Sequence, residues 1–249
     1  MQETDYDKFI KCLDAIFDLK PARNDTHLAG AWLAVVSKAM ETYITLAPQD
    51  AVQRLPKGVL IIADYLASQL KDIYVSANQC LISIVSNIPE EWLLNDEIIE
   101  EVTEFFGGFT AKELLTVKYQ HAVQEVLEFV AICIQKFRTR ANPDYLEALE
   151  TIGQWRTNEN DSFPNKAAED VIAAAIANLG PEVVITVLPL NLDNSQAGPG
   201  RAWLLPLLRD NVRFASLNFF KNNILKYVQF FEEKIQSSEQ KQSVTNKVF

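Results

Sequence analysis

The chain of 249 residues is predicted to be all-α, and three observations carry that prediction. Apolar residues recur at helical spacing along almost its whole length, while the alternation that marks strands is nearly absent. It contains only eight glycines, roughly half the usual share, which disfavours sheet folds rich in turns and dinucleotide-binding folds. The helical segments follow one another through short links, without a composition break that would mark a domain boundary.

Taken in order, the first strong helix is expected after the capping pair Asn24-Asp25. Its predicted stripe is Leu28, Trp32, Val35, Val36, Ala39, Tyr43 and Leu46, and Pro48 stops it. A connector with Leu55-Pro56 leads into Val59–Leu70, and a further helix carries Val75, Leu81, Ile84 and Val85. Pro89 opens a helix over Glu90–Phe106, broken at Gly107-Gly108. Leu114–Phe137 shows one broad apolar face, and Asn142-Pro143 starts a helix to about Trp155. Thr157–Ser162 reads as a polar loop. Pro164 suits the first residue of the next helix, which buries Val171, Ile172, Ala175, Ile176 and Leu179 and is capped by Gly180. Pro181 opens a helix that runs to Leu188-Pro189, and Phe220, Ile224, Val228, Phe231 and Ile235 form the last stripe. Residues 1–235 are expected to be a single helical-repeat region, and 236–249 a frayed polar tail.

Roughly twelve helices give helix pairs at about 40 residues, the spacing of HEAT or armadillo repeats. An α-solenoid of HEAT/armadillo-like repeats is therefore the predicted architecture, with a compact helical bundle as the alternative. A solenoid needs polar capping repeats, so the chain is expected to be a section of a longer protein.

Net charge is −10 and the isoelectric point about 4.8, which argues against coating nucleic acid with the whole surface but leaves room for a local basic strip. Cys12, Cys80 and Cys133 lie far apart among apolar residues and read as reduced, buried thiols. No secretory leader opens the chain and no apolar run approaches a membrane span. A soluble intracellular protein is expected.

Residue patterns for catalysis are missing. His27 and His121 are isolated, no phosphate-cradling glycine loop follows a strand, and Ser195 has no nucleophile-elbow context. No metal, cofactor or small-molecule substrate is expected, and no enzymatic activity. Charge is more informative. Pro89–Glu104 holds Glu90, Glu91, Asp96, Glu97, Glu100, Glu101 and Glu104 with no Lys or Arg. Glu97, Glu100, Glu101 and Glu104 are candidates for a face that docks a basic partner; the other reading is a solvated face with acids gathered toward a helix N-terminus.

Gly198–Lys226 reverses the sign. Arg201, Arg209, Arg213, Lys221 and Lys226 face one acid, Asp210, for a local +4. Arg201, Arg209, Arg213 and Lys221 are the candidate contacts to RNA phosphates or a partner; equally, they could pair with the acids of a neighbouring repeat. Arg209 and Arg213 would share a face if one helix carried both. Trp203 reads as a packing residue, with base stacking as the alternative.

Two motifs then suggest a family. Gly180-Pro-Glu through Leu188-Pro-Leu-Asn-Leu192, followed by Gly200-Arg-Ala-Trp-Leu-Leu-Pro-Leu-Leu-Arg-Asp-Asn-Val212 and the Phe-rich Leu217–Lys221, resemble the ribosomal RNA-processing protein 12 family, most specifically over 164–235. The resemblance implies a large HEAT/armadillo-type solenoid of the nucleus and nucleolus without catalytic activity. It implies association with small-subunit precursors of the ribosome, with pre-ribosomal RNA, ribosomal and assembly proteins as partners and possible involvement of nuclear transport factors. It also implies a role in ribosomal RNA maturation and subunit export. The rival reading is a karyopherin-like transport receptor for basic cargo and the Ran GTPase, which the acidic run would suit.

Overall fold

The computed structural model describes residues 5–158, 163–193 and 198–245, with side chains described as far as 236. Among the described residues every regular element is helical. The chain divides into two compact units, Met1–Ala174 and Ala175–Phe249.

The first unit opens with α1 (Asp5–Asp18), α2 (Ala29–Leu46) and α3 (Pro48–Ala63). The Asp25 carboxylate accepts the backbone N–H groups of His27 and Leu28, both at 2.9 Å, satisfying donors ahead of α2. Those two bonds hold its carboxyl below the ordinary aspartate value. Pro48 both ends α2 and supplies the first turn of α3. The buried arc of α2 is Trp32, Leu33, Val36, Met40, Tyr43 and Ile44. Leu28, Val35 and Leu46 of the predicted stripe are exposed. α2 packs on α1, α3 and α4 (Lys71–Ser86), so its buried arc is set by three neighbours rather than one. Leu55-Pro56, expected in a connector, lies inside α3. The helix tolerates Pro56 because Val52, Leu55, Val59 and Ile62 are buried on either side of it and outweigh one lost backbone bond.

Next come α5 (Glu90–Leu94) and α6 (Asp96–Phe109), where one helix was predicted. Asn95 divides them, its side chain accepting from Glu97 N and Ile98 N as the cap of α6. The glycine pair does not break α6. Gly107 is there because a Cβ would stand 2.5 Å from the Asp144 carbonyl oxygen. A π-turn, Thr110–Leu114, and a 3-10 segment, Val117–Ala122, precede α7 (Val123–Phe137), so only the second half of the predicted Leu114–Phe137 helix is α. α8 (Leu146–Thr157) follows. Phe129, Phe106, Phe137 and Tyr145, in that order, form a buried aromatic chain with centroid spacings of 6.1, 5.7 and 6.2 Å, the separations at which rings attract beyond their buried area.

Side-chain bonds in this unit recur at a nearly constant sequence separation. Arg54 reaches Asp14, 40 residues back, and Ser83 donates to Glu41 over 42. Lys20 meets Asp64, Tyr65 Oη donates to the Pro21 carbonyl and Ser68 to Asn24 Oδ1, all over 44 residues. Asn78 donates to Glu128 over 50, and Arg138 to Glu90 over 48. Equivalent positions of successive helix pairs therefore touch, which is the register of stacked repeats.

In the second unit, α9 (Asn165–Leu179), which begins in the first, ends at Gly180, whose φ of 94° suits a helix terminator. The stripe predicted for it is buried throughout. α10 (Pro181–Val187), α11 (Leu204–Asn211), the short α12 (Leu217–Phe219) and α13 (Leu225–Thr245) follow, the last two joined by a π-turn at Phe220–Ile224. The last predicted stripe is not the buried one. Phe220, Val228, Phe231 and Ile235 are exposed, whereas Phe219 and Tyr227 are buried. Residues 236–245, expected as frayed tail, continue α13; 246–249 lie outside the described residues, as do Ser195 and most of the predicted loop and link at 157–162 and 193–197.

Candidate nucleic-acid interface

The residues of the basic segment do not share one fate. Arg201 is turned inward and only 8% exposed. Its Nη1 donates to the Pro189 carbonyl at 2.7 Å, and its backbone N–H to Leu190 O at 2.8 Å. Instead of facing a phosphate, Arg201 fastens the start of the α11 segment to the end of the α10 segment. The inward turn of Arg201 has a clear cause. Pro189 carries no N–H and sits past the end of α10, so its carbonyl lies outside the helical ladder and a guanidinium is a strong donor for it.

Arg209 is exposed on the last turn of α11 and forks onto its own neighbour, Nε to Asp210 Oδ1 at 2.7 Å and Nη2 to Oδ2 at 2.9 Å. The same bonds lower the Asp210 carboxyl below its ordinary value. A fully solvated pair of this kind contributes little to stability, and Arg209 stays open to a competing anion. Arg213 does not continue α11. The helix ends at Asn211, and Arg213 stands in an exposed stretch without regular structure, so one helix does not carry both Arg209 and Arg213. Lys221 is exposed in the π-turn, and Lys226, also exposed, lies with Nζ 4.7 Å from the Tyr227 ring centroid. Trp203 is half-buried just ahead of α11.

The acidic residues lie on α6. Glu97, Glu100, Glu101 and Glu104 are exposed, while Ile99, Val102, Thr103 and Phe106 of the same helix are buried. Glu90 and Asp96 are answered from the end of α7: Lys136 and Arg138 each lie 3.5 Å from Glu90, and Arg140 lies 2.6 Å from Asp96. Among the described residues no ion pair forms to Glu97, Glu100, Glu101 or Glu104. Lys136, Arg138 and Arg140 stand outside the residues singled out from sequence. Their signal is three cations in five positions, and Arg138 adds a positive φ of 54°, uncommon for a side chain of this size.

Catalytic geometry does not emerge among the described residues. No group of His, Cys, Asp and Glu stands close enough to hold a metal ion. His27 and His121 are exposed, the latter edge-on to Tyr74 at 5.5 Å. Cys80 and Cys133 are buried; Cys12, expected to be buried, is exposed on the outer face of α1. No described helix is long and apolar enough to cross a membrane.

A family model described as ribosomal RNA-processing protein 12, HEAT repeats, matches residues 67–249. This chain belongs to the ribosomal RNA-processing protein 12 family. The match begins well before the 164–235 segment that carries the sequence motifs, so the first unit shares in the family relation too. Ribosomal RNA-processing protein 12 of Saccharomyces cerevisiae is 39% identical over 91% of this chain and 19% of its own length. The RRP12-like protein of Homo sapiens is 28% identical over 89% of this chain and 18% of its own. The chain thus spans about a fifth of the curated relatives it matches. Family membership and the repeat register agree on an all-α solenoid of HEAT type.

Proposed function

We propose that this chain is a non-catalytic helical-repeat section of a ribosome-biogenesis factor, with residues 1–235 acting as one stretch of repeats. It works in the nucleus and nucleolus on small-subunit precursors and supports ribosomal RNA maturation and subunit export. The observation that carries the RNA part is that Arg209 on α11, Arg213 in the link after it and Lys221 in the π-turn are all exposed in a chain whose net charge is −10. In such a chain, a local concentration of cations is where phosphate is drawn. The names of the relatives, which specify ribosomal RNA processing, supply the partner class. The readout is positional, with cations on phosphates and no base-reading element.

Charge reversal tests it. Arg209→Glu with Arg213→Glu should weaken binding to a single-stranded ribosomal RNA probe by about tenfold or more, with a shallower salt dependence, and reduce recovery with pre-ribosomal particles. Unchanged affinity together with unchanged recovery would remove the basic segment from the account.

The uncompensated face of α6 favours a second reading, a transport receptor for basic cargo that answers to Ran. Nucleotide-dependent capture of Ran by the isolated chain would support that reading over the first. Loss of basic-protein binding on neutralising Glu97, Glu100, Glu101 and Glu104 would locate the cargo face without deciding between them, because ribosomal proteins are basic as well.

A further inference from the structure

Ser216 has a use that neither RNA contact nor repeat packing gives it, and its surroundings define that use chemically. Residues 212–216 link α11 to α12 without regular structure, and residues 212–218 are all exposed. The link is extended at both ends, with ψ of 118° at Val212 and φ, ψ of −80°, 149° at Ser216. Arg213 precedes the serine by three residues. Leu217 follows it directly and is 90% exposed, the most exposed of the chain's described large apolar side chains. An exposed link without regular structure, bearing a cation three residues before a hydroxyl and an apolar side chain one residue after it, is what an arginine-directed protein kinase accepts. An acidic subsite takes the guanidinium and an apolar pocket takes the residue after the serine.

We propose that Ser216 is a phosphorylation site for an arginine-directed Ser/Thr kinase, and that the phosphate releases α10 from the start of α12. Ser216 Oγ attacks the γ-phosphorus of ATP and forms the Oγ–P bond. The bond from that phosphorus to the β,γ-bridging oxygen breaks and ADP leaves with the electron pair. The hydroxyl proton passes to the kinase's catalytic carboxylate.

The chain supplies its own comparison. Of its eight arginines only Arg23 and Arg213 precede a Ser or Thr by three residues. Thr26 shares the spacing but lacks the shape. It sits in a turn whose Asp25 carboxylate is tied to the amides of His27 and Leu28, an acid immediately precedes it, and a histidine follows it.

The consequence follows from what Ser216 does unmodified. Its Oγ donates to Glu182 Oε1 at 2.6 Å, and its backbone N–H donates to the same oxygen at 3.2 Å. Oγ also accepts from Phe219 N at 3.0 Å. Together the two bonds to Glu182 tie α10 to the start of α12, and they hold the Glu182 carboxyl below its ordinary value. A phosphoester has no hydroxyl hydrogen to give, and it sets about −1.5 to −2 charges against a carboxylate. The tie cannot survive that repulsion.

The test treats the full chain with ATP and the catalytic subunit of an arginine-directed kinase, then maps phosphate by tandem mass spectrometry. Incorporation is expected at Ser216, absent in Ser216→Ala, unaffected in Thr26→Ala, and slowed about tenfold or more in Arg213→Ala by loss of a charge-assisted contact. Circular dichroism of the variants separates a lost site from a lost fold. Phosphate placed on Thr26 in preference to Ser216, or an Arg213→Ala rate equal to that of the unsubstituted chain, would overturn the site. Amide exchange should rise around Glu182 and Phe219 in the phosphorylated protein. Unchanged exchange at full incorporation would overturn the proposed release.

Discussion

At the scale of the residue, burial decides which chemical groups are available. Cys133 is fully enclosed by α7 and its neighbours, and burial pushes its thiol up to about 12. Burial likewise raises Cys80, whose Sγ lies 3.4 Å from the Leu33 carbonyl. The thiolate is the reactive species, so both are inert while the fold persists. A thiol reagent at pH 8 should therefore find one fast-reacting cysteine, Cys12, in the native protein and all three after unfolding. Fast labelling of Cys133 without denaturant would contradict its enclosure. Sequence shows only that the three cysteines lie among apolar neighbours, and Cys12 shares that context while pointing outward. Arg201 poses the same difficulty in reverse. Its charge suggests solvent, and only the tertiary position of the Pro189 carbonyl turns it inward.

At the scale of the element, the contrast between adjacent glycines is informative. A Cβ at Gly107 would meet the backbone of Asp144 at 2.5 Å, while a Cβ at Gly108 meets nothing within 4 Å. Gly107→Ala should cost about 1–3 kcal/mol, because backbone cannot move aside as a flexible side chain does. Gly108→Ala should be neutral or stabilising by up to about 1 kcal/mol, because alanine is the better residue in a helix interior. Chemical denaturation of both variants checks the pair; equal losses would show that the helix itself, and not its approach to Asp144, requires the glycines. Elements that end for local reasons were legible in the sequence: Pro48, Pro164 and Gly180 bound helices as expected, because a missing N–H or a positive φ acts whatever the surroundings. Pro56 and Gly107-Gly108 were misleading for the complementary reason. Packing on neighbouring repeats carries the helix across them, and that packing is not visible in a local window. The last stripe failed in the same way, since periodicity announces an apolar face without saying that anything covers it.

At the scale of the whole molecule, charge and repeat register are the two facts that matter. The recurrence of side-chain bonds over 40–50 residues stacks helix pairs of the HEAT type. That register, seen within the first unit, was foreseeable from an expected spacing of about 40 residues. Charge is segregated along the chain, with Glu97, Glu100, Glu101 and Glu104 exposed on α6 and Arg209, Arg213 and Lys221 exposed from α11 onward. The composition of both charged segments is legible in the sequence, whereas the pairing of Glu90 and Asp96 with the cations at the end of α7 is not. The central claim is that RNA is held by the basic segment. Ultraviolet crosslinking of the intact protein to RNA in cells, followed by mass spectrometry of the crosslinked peptides, tests it most directly. RNA adducts concentrated within residues 198–226 are the predicted result. Adducts absent from that segment, and found elsewhere in the same chain, would contradict it.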